Sequence, residues 1–172
     1  MIPVAILAGM SRSAGSELPP AILRLLDGAD LERAAGLTVL LLTVDQAGWP
    51  RVAMLSAGEV LAVAPRQIRL ALWPDGTSAA NLARAGRATL ALVHAGAGWY
   101  VRCTGRHEAD LRLPGDRRLA SFALAVEEVL EDVVPYAELT SGIAFRLAEP
   151  GQTLTAWRAV VDAMRAAAGL HQ

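Results

Sequence analysis

Between Leu37 and His107 the chain runs apolar for six to nine residues at a time and then meets a turn signal, and this rhythm constrains the fold more than any other feature. Leu37–Val44, rich in leucine, valine and threonine, reads as a buried strand. The turn residues Asp45, Gln46, Ala47 and Gly48 lead into a second strand, Arg51–Ala57, and the pair forms a hairpin. Gly58–Ala64 and Ile68–Trp73 read as further strands parted by Pro65 and Arg66, before the turn Pro74, Asp75, Gly76. A short helix from Thr77 to about Arg84 opens on two hydroxyl residues and stops at Gly86. Strands Arg87–His94 and Trp99–His107 follow, joined by a loop at Ala95–Gly98. Continuous apolar strands need cover on both faces. Six or so of them with peripheral helices therefore predict a mainly β fold, a closed or nearly closed antiparallel β-barrel.

The flanks read as helical. Pro19 and Pro20 open a run with Ile22, Leu23, Leu25 and Leu26 that ends near Gly28, and Asp30 caps a second run that Gly36 ends. Leu111–Asp116 is expected to be a loop launching a longer helix through Val133. There Leu119, Phe122, Val126, Leu130 and Val133 fall at spacings of three and four, with Glu127, Glu128 and Glu131 elsewhere. A last strand at Ile143–Leu147 precedes a C-terminal helix carrying Trp157, Val160, Val161 and Met164. With no internal repeat or linker, 172 residues fit a single domain, residues 1–172, with a core at 37–108 and a helix–strand–helix extension at 111–172. Met1–Met10 is apolar without a charged leader and is read as a native N-terminus.

All sixteen basic residues are arginine. The absence of lysine excludes an internal Schiff base, a lysine nucleophile and a P-loop lysine on a phosphate. One cysteine, Cys103, excludes an intrachain disulfide and a multi-cysteine zinc site, which fits a cytoplasmic location. A formal net charge of -1 argues against a nucleic-acid or anionic-membrane surface, and no run of about 18 apolar residues offers a membrane span. The expected partners are small molecules. No Gly-x-Gly-x-x-Gly fingerprint, P-loop, or serine, histidine and acid grouping supports a Rossmann, NTPase or hydrolase reading.

The turn Pro74, Asp75, Gly76 followed by Thr77 and Ser78 puts two hydroxyls and several unpaired backbone N–H groups at the positive end of a helix, where a phosphate can bind. Taken alone, the motif reads first as a simple N-cap at Thr77 or Ser78, since such starts are as common as helices are. The succession around it adds weight. A strand, an acidic turn with Gly48, and then Pro50, Arg51, Val52, Ala53, Met54, Leu55 and Ser56 resembles the first hairpin of the pyridoxamine 5′-phosphate oxidase-like flavoproteins. In order, Ile68–Trp73 resembles the next core strand, Thr77–Leu82 the flavin-phosphate helix, Ala88–Val93 the following strand and Trp99–Gly105 the strand that ends in glycine. The resemblance spans roughly Leu37 to Glu108.

The resemblance implies an FMN-binding split β-barrel and a homodimer with the cofactor at its interface. It carries the family's arginine over to Arg51, but the hairpin lysine falls at Ser56, and an arginine and lysine pair on the phosphate helix falls at Thr77 and Ser78. Asn81 lies on the same helix. The glutamine that approaches the flavin ring falls at Tyr100, while Met54, Leu55, Leu72 and Trp73 occupy positions that line the isoalloxazine. Each exchange of a charged for a neutral donor costs about 1 kcal/mol, so three lower affinity by on the order of a hundredfold. Arg84 or Arg87 could compensate from a neighbouring subunit.

His94, His107 and His171 with Cys103 are weighed as a metal or haem site and set aside, because no two have a helical ligand spacing. Glu127 and Glu128 read as a solvated face rather than an acid/base pair, and of the four tryptophans Trp73 and Trp99 border the proposed cofactor strands. No catalytic residue stands out. Three functions remain: an FMN-dependent oxidoreductase, with deazaflavin F420 as the alternative cofactor, a non-enzymatic flavin, haem or small-ligand binding module, and a dimeric barrel without cofactor. The C-terminal part differs from the arginine and histidine segment that recognises substrate in true pyridoxamine phosphate oxidases, so pyridoxamine 5′-phosphate is not the expected substrate.

Overall fold

The computed structural model describes residues 11–170, so the readings for Met1–Met10 and His171 lie outside the described residues. Within them the elements are β1 (Arg12–Gly15), α1 (Pro20–Leu26), β2 (Val39–Val44), β3 (Pro50–Leu55), β4 (Val60–Ala64) and β5 (Gln67–Leu72). After these come α2 (Thr77–Ala85), β6 (Arg87–His94), β7 (Ala97–His107), β8 (Leu111–Leu113), β9 (Arg117–Asp132) and α3 (Pro150–Ala167). The fold is mainly β and antiparallel, as expected, with nine strands rather than six among the described residues.

Three expectations are overturned, all in the flanks. The helix expected through Val133 is the 16-residue strand β9, and its preceding loop contains β8, turned into β9 by Gly115 and Asp116 at φ 74° and 55°. The run after Asp30 is a series of turns: Asp30 accepts from Arg33 N at 3.0 Å, but the cap is not followed by a helix. Ile143–Leu147 is not a strand, and only Ala144 bridges, to Leu37. The helix–strand–helix expected over 111–172 is therefore a hairpin, an irregular stretch and α3.

The sheet runs β3-β2-β6-β7-β9-β5-β4, with β1 and β8 also paired to β9. Alternate residues of the strands turn to one side and close a single cluster with Ile22 and Leu26 of α1 and Leu82 of α2. Each large side chain so buried contributes about 1.5–3 kcal/mol. β3 and β4 end the path although they are consecutive in the chain, joined by the Ser56–Glu59 turn, so the barrel has a seam between them. On the opposite side of β4, β5 and β9, α3 seats Val160, Val161 and Met164 on Leu61, Ala71 and Leu119, forming a second core.

Candidate functional site

Arg51 and its neighbours on β3 define one wall of the seam, and the register decides which way each side chain points. Arg51 pairs with Thr43 on β2 and so lies on the same side of the sheet as that buried threonine. α2 covers this side, where Asn81 Nδ2 donates to Thr43 Oγ1 at 3.2 Å and Arg84 Nη2 donates to the Val44 carbonyl at 2.5 Å. Arg51 itself is exposed and has no ion-pair partner among the described residues. Asn81, by contrast, is buried and spent on Thr43, which makes it a strut between helix and hairpin.

The start of α2 is open. Gly76 takes the N-cap position in extended conformation (φ -77°, ψ 142°) and no side chain caps the helix, so Thr77 and Ser78 are not the caps the simpler reading makes them. Their hydroxyls and the N–H groups of the first turn carry no intrahelical bond, the condition under which an anion is held. Ser56 is different, because its N and its Oγ both donate to Glu59 Oε2, each at 2.7 Å. That hydroxyl is committed to a carboxylate, which further weakens Ser56 as a replacement for a cation. Ser56, Glu59, Trp73 and Trp157 share a cleft of about 180 Å³, and the Trp73 indole is 62% exposed there.

The other expected positions divide between the core and the outer face of the sheet. Leu55 and Leu72 are buried in the core and can offer a ligand only their backbone. Met54 points to the outer face, where the ladders align Met54, Leu40, Ala91 and Tyr100 in one row across four strands. At about 4.8 Å per strand, Met54 and Tyr100 stand about 14 Å apart. The Tyr100 hydroxyl donates to Asp132 Oδ2 at 3.2 Å, and desolvation, that bond and the carboxylate's charge raise its pKa.

Sequence reasoning missed a groove of about 570 Å³ lined by Val44, Pro50, Arg87, Thr89, Arg102, Cys103 and Glu127. A bulge in the β7–β9 register after Arg102 lets Glu127 reach Thr104 Oγ1 at 2.6 Å and Glu128 reach Arg102 at 2.7 Å. Cys103 lies beneath, its thiol pushed up to about 12 by burial and by the Glu127 charge. It is a poor nucleophile, since the thiolate is the reactive form. His107 shares its strand face but engages Asp110 at 3.0 Å and packs edge-on against Phe122.

No family model matches the chain. The Bacillus subtilis (strain 168) protein YclD, itself uncharacterised, is 33% identical over 144 residues, covering 84% of this chain and 93% of that protein. A candidate pyridoxamine 5′-phosphate oxidase from Lactobacillus delbrueckii superposes with a TM-score of 0.55 at 20% identity, covering 70% of this chain and 98% of that one. A variant of HupZ from group A Streptococcus gives a TM-score of 0.52 at 16% identity, over 66% of this chain and 98% of that one. By sequence the chain belongs to the family of YclD, and its fold is the split barrel of the pyridoxamine 5′-phosphate oxidase-like proteins.

Proposed function

We propose that this protein binds FMN across the seam, with the phosphate between β3 and the start of α2, and serves as a flavin-dependent oxidoreductase for a small molecule other than pyridoxamine 5′-phosphate. The observation that carries this reading is that the side of β3 covered by α2 holds a cation, Arg51, without an ion-pair partner among the described residues, and that no described side chain caps the start of that helix. A phosphate dianion suits both, accepting from a guanidinium fork and from first-turn N–H groups. When bound, the flavin supplies the electron and hydride transfer. The chain's part is to hold it: Arg51, Thr77 and Ser78 toward the phosphate, the β3 and β5 backbone at Leu55 and Leu72 along the ring, and Trp73 as an exposed flat surface beside it.

Two features of the chain support a homodimer with the cofactor at its interface. Met54 and Tyr100 occupy the outer face rather than the seam, so they reach a flavin only if it spans both surfaces or belongs to a second copy. The same face exposes Val44, Val52 and Met54, which a second copy would cover. Light scattering should return twice the chain mass.

The cofactor test compares FMN with riboflavin. Arg51→Ala should weaken FMN by about 2–3 kcal/mol, or roughly 30- to 150-fold, and leave riboflavin almost unchanged, because only FMN carries the phosphate. Equal losses for the two ligands, or none, would remove Arg51 from the site. F420 is the parallel arm, and failure of both cofactors to raise the melting temperature at millimolar concentration would end the flavin reading. Oxidation of pyridoxamine 5′-phosphate above about 1 per second would contradict the substrate exclusion.

A further inference from the structure

The β8–β9 hairpin places an arginine where its pattern calls for an apolar residue. Leu111 pairs with Leu119 and Leu113 with Arg117, so Arg117 shares the strand face of three leucines that are buried in the second core beneath α3. Side chains two apart on a strand point the same way. Arg118 and Arg112, one residue out of phase, point to the opposite face. None of these three arginines has an ion-pair partner among the described residues.

Arg117 stands where two concavities meet. One is a mostly apolar groove of about 490 Å³ between the hairpin and α3, walled by Leu113, Pro114, Ala156 and Ala159. The other is the cleft that also holds Ser56, Glu59, Trp73 and Trp157, and Arg117 and Ala156 line both. We propose that this groove binds a small amphiphilic monocarboxylate, with the apolar chain along α3 and the carboxylate on the Arg117 guanidinium. A cation lining an apolar trough selects an acid head over a neutral one, and the planar fork matches a carboxylate in two parallel bonds. Glu59 limits the head to a single negative charge. Its carboxylate, held in the adjoining cleft by Ser56, repels a second one. The inference needs no cofactor, although Trp73, assigned above to the flavin ring, lines the adjoining cleft with Arg117.

The experiment uses the full chain without flavin, decanoate and decan-1-ol as probes, and tryptophan fluorescence with calorimetric titration as readouts. Decanoate should bind at least about tenfold more tightly than decan-1-ol, the gain of one charge-assisted bond. Arg117→Gln should erase that preference and Arg118→Gln should keep it, with melting temperatures confirming that both variants fold. The decanoate against decanol comparison on the native chain stands even if a variant fails to fold. Equal affinity for the two probes, no decanoate binding at 1 mM (about the weak end of useful affinities), or an undiminished preference in Arg117→Gln would overturn the proposal. Arg51→Ala, which tests the flavin site, should leave decanoate binding intact, so the two readings fail separately.

Discussion

Adding one methyl group at Gly58 should loosen α3 from the barrel. A Cβ there would lie 2.2 Å from Trp157 Cγ, 2.4 Å from Cδ1 and 2.7 Å from Cβ. Carbon atoms rest about 3.5–4.0 Å apart, so the indole has to retreat by more than about 1 Å. Turning the ring about its Cβ–Cγ bond does not help, because Cβ and Cγ lie on that axis, and swinging Cγ aside still leaves Cβ at 2.7 Å, where only the backbone of α3 can move it. That helix is pinned by Val160, Val161 and Met164, which are at most 4% exposed, and by Arg165 Nη2 donating to the Asp27 carbonyl at 2.9 Å. Overpacking of a filled core costs about 1–3 kcal/mol, and the severity of this overlap puts Gly58→Ala at the upper part, about 2–3. For a domain of this size the melting temperature should fall by about 5–10 °C. Denaturant titration of Gly58→Ala, Trp157→Ala and the double variant isolates the clash. Trp157→Ala alone should cost about 3 kcal/mol, and adding Gly58→Ala to it should cost little more, a coupling of about 2 kcal/mol. A loss under about 0.5 kcal/mol for Gly58→Ala, or additive losses in the double variant, would show that the close approach of Gly58 and Trp157 has been misjudged.

Three further outcomes follow from the polar groups. The folded Cys103 thiol titrates near 12 against an ordinary 9.0, so the unfolded chain sheds that proton first. Stability should hold below about pH 9 and decline as pH rises toward 12, by up to about 4 kcal/mol, and Cys103→Ala should flatten this decline in equilibrium unfolding. Ser121 Oγ is buried without a hydrogen-bond partner among the described residues, so Ser121→Ala should be neutral or stabilising by up to about 1 kcal/mol, and a loss above that in denaturant titration would reveal a hidden partner. Asn81→Ala should cost about 1–2 kcal/mol by orphaning the Thr43 hydroxyl, and should shift FMN and riboflavin affinities equally, whereas a selective loss for FMN would return Asn81 to the phosphate site.

The barrel from Val39 to His107 was legible because its signals are local. The Asp45–Gly48 turn and the left-handed Gly86 after α2 each mark an element by their own backbone chemistry, while the expected Ala95–Gly98 loop is shorter, a turn at Ala95 and Gly96 with β7 already under way at Ala97. β9 was misread for a reason that is also physical. Phe122 and Val126, four apart, share a face on a strand as well as on a helix, and the bulge at Glu127 and Glu128 inserts the odd residue that turns a step of two into a step of three to Val129. Near the start of β9, Leu119 and Ala120 are both buried, because α3 covers one face and the barrel core the other, which erases the alternation that identifies a strand. Of the candidate site, Arg51 is exposed on the side of β3 that α2 covers, and the start of α2 carries no side-chain cap among the described residues. Ser56 and Asn81 are occupied by bonds to Glu59 and Thr43, which depend on side-chain positions that spacing does not encode.

The place of β9 in the sheet bears on how the chain is assembled as it is made. β9 lies between β7 and β5 and is also the partner of β1 and β8. A nascent chain that has emerged as far as His107 therefore holds two separate pieces, β3-β2-β6-β7 and β5-β4, whose facing edges have no strand between them. Those edges are open templates for pairing with another chain, and neither piece encloses the barrel core. The last strand made thus joins them in a step whose rate carries the cost of long sequence separation, with Arg12 meeting Glu131 across a separation of 119 positions. Until Asp132 has been synthesised, the barrel exists only as two half-sheets that depend on remaining apart from their neighbours.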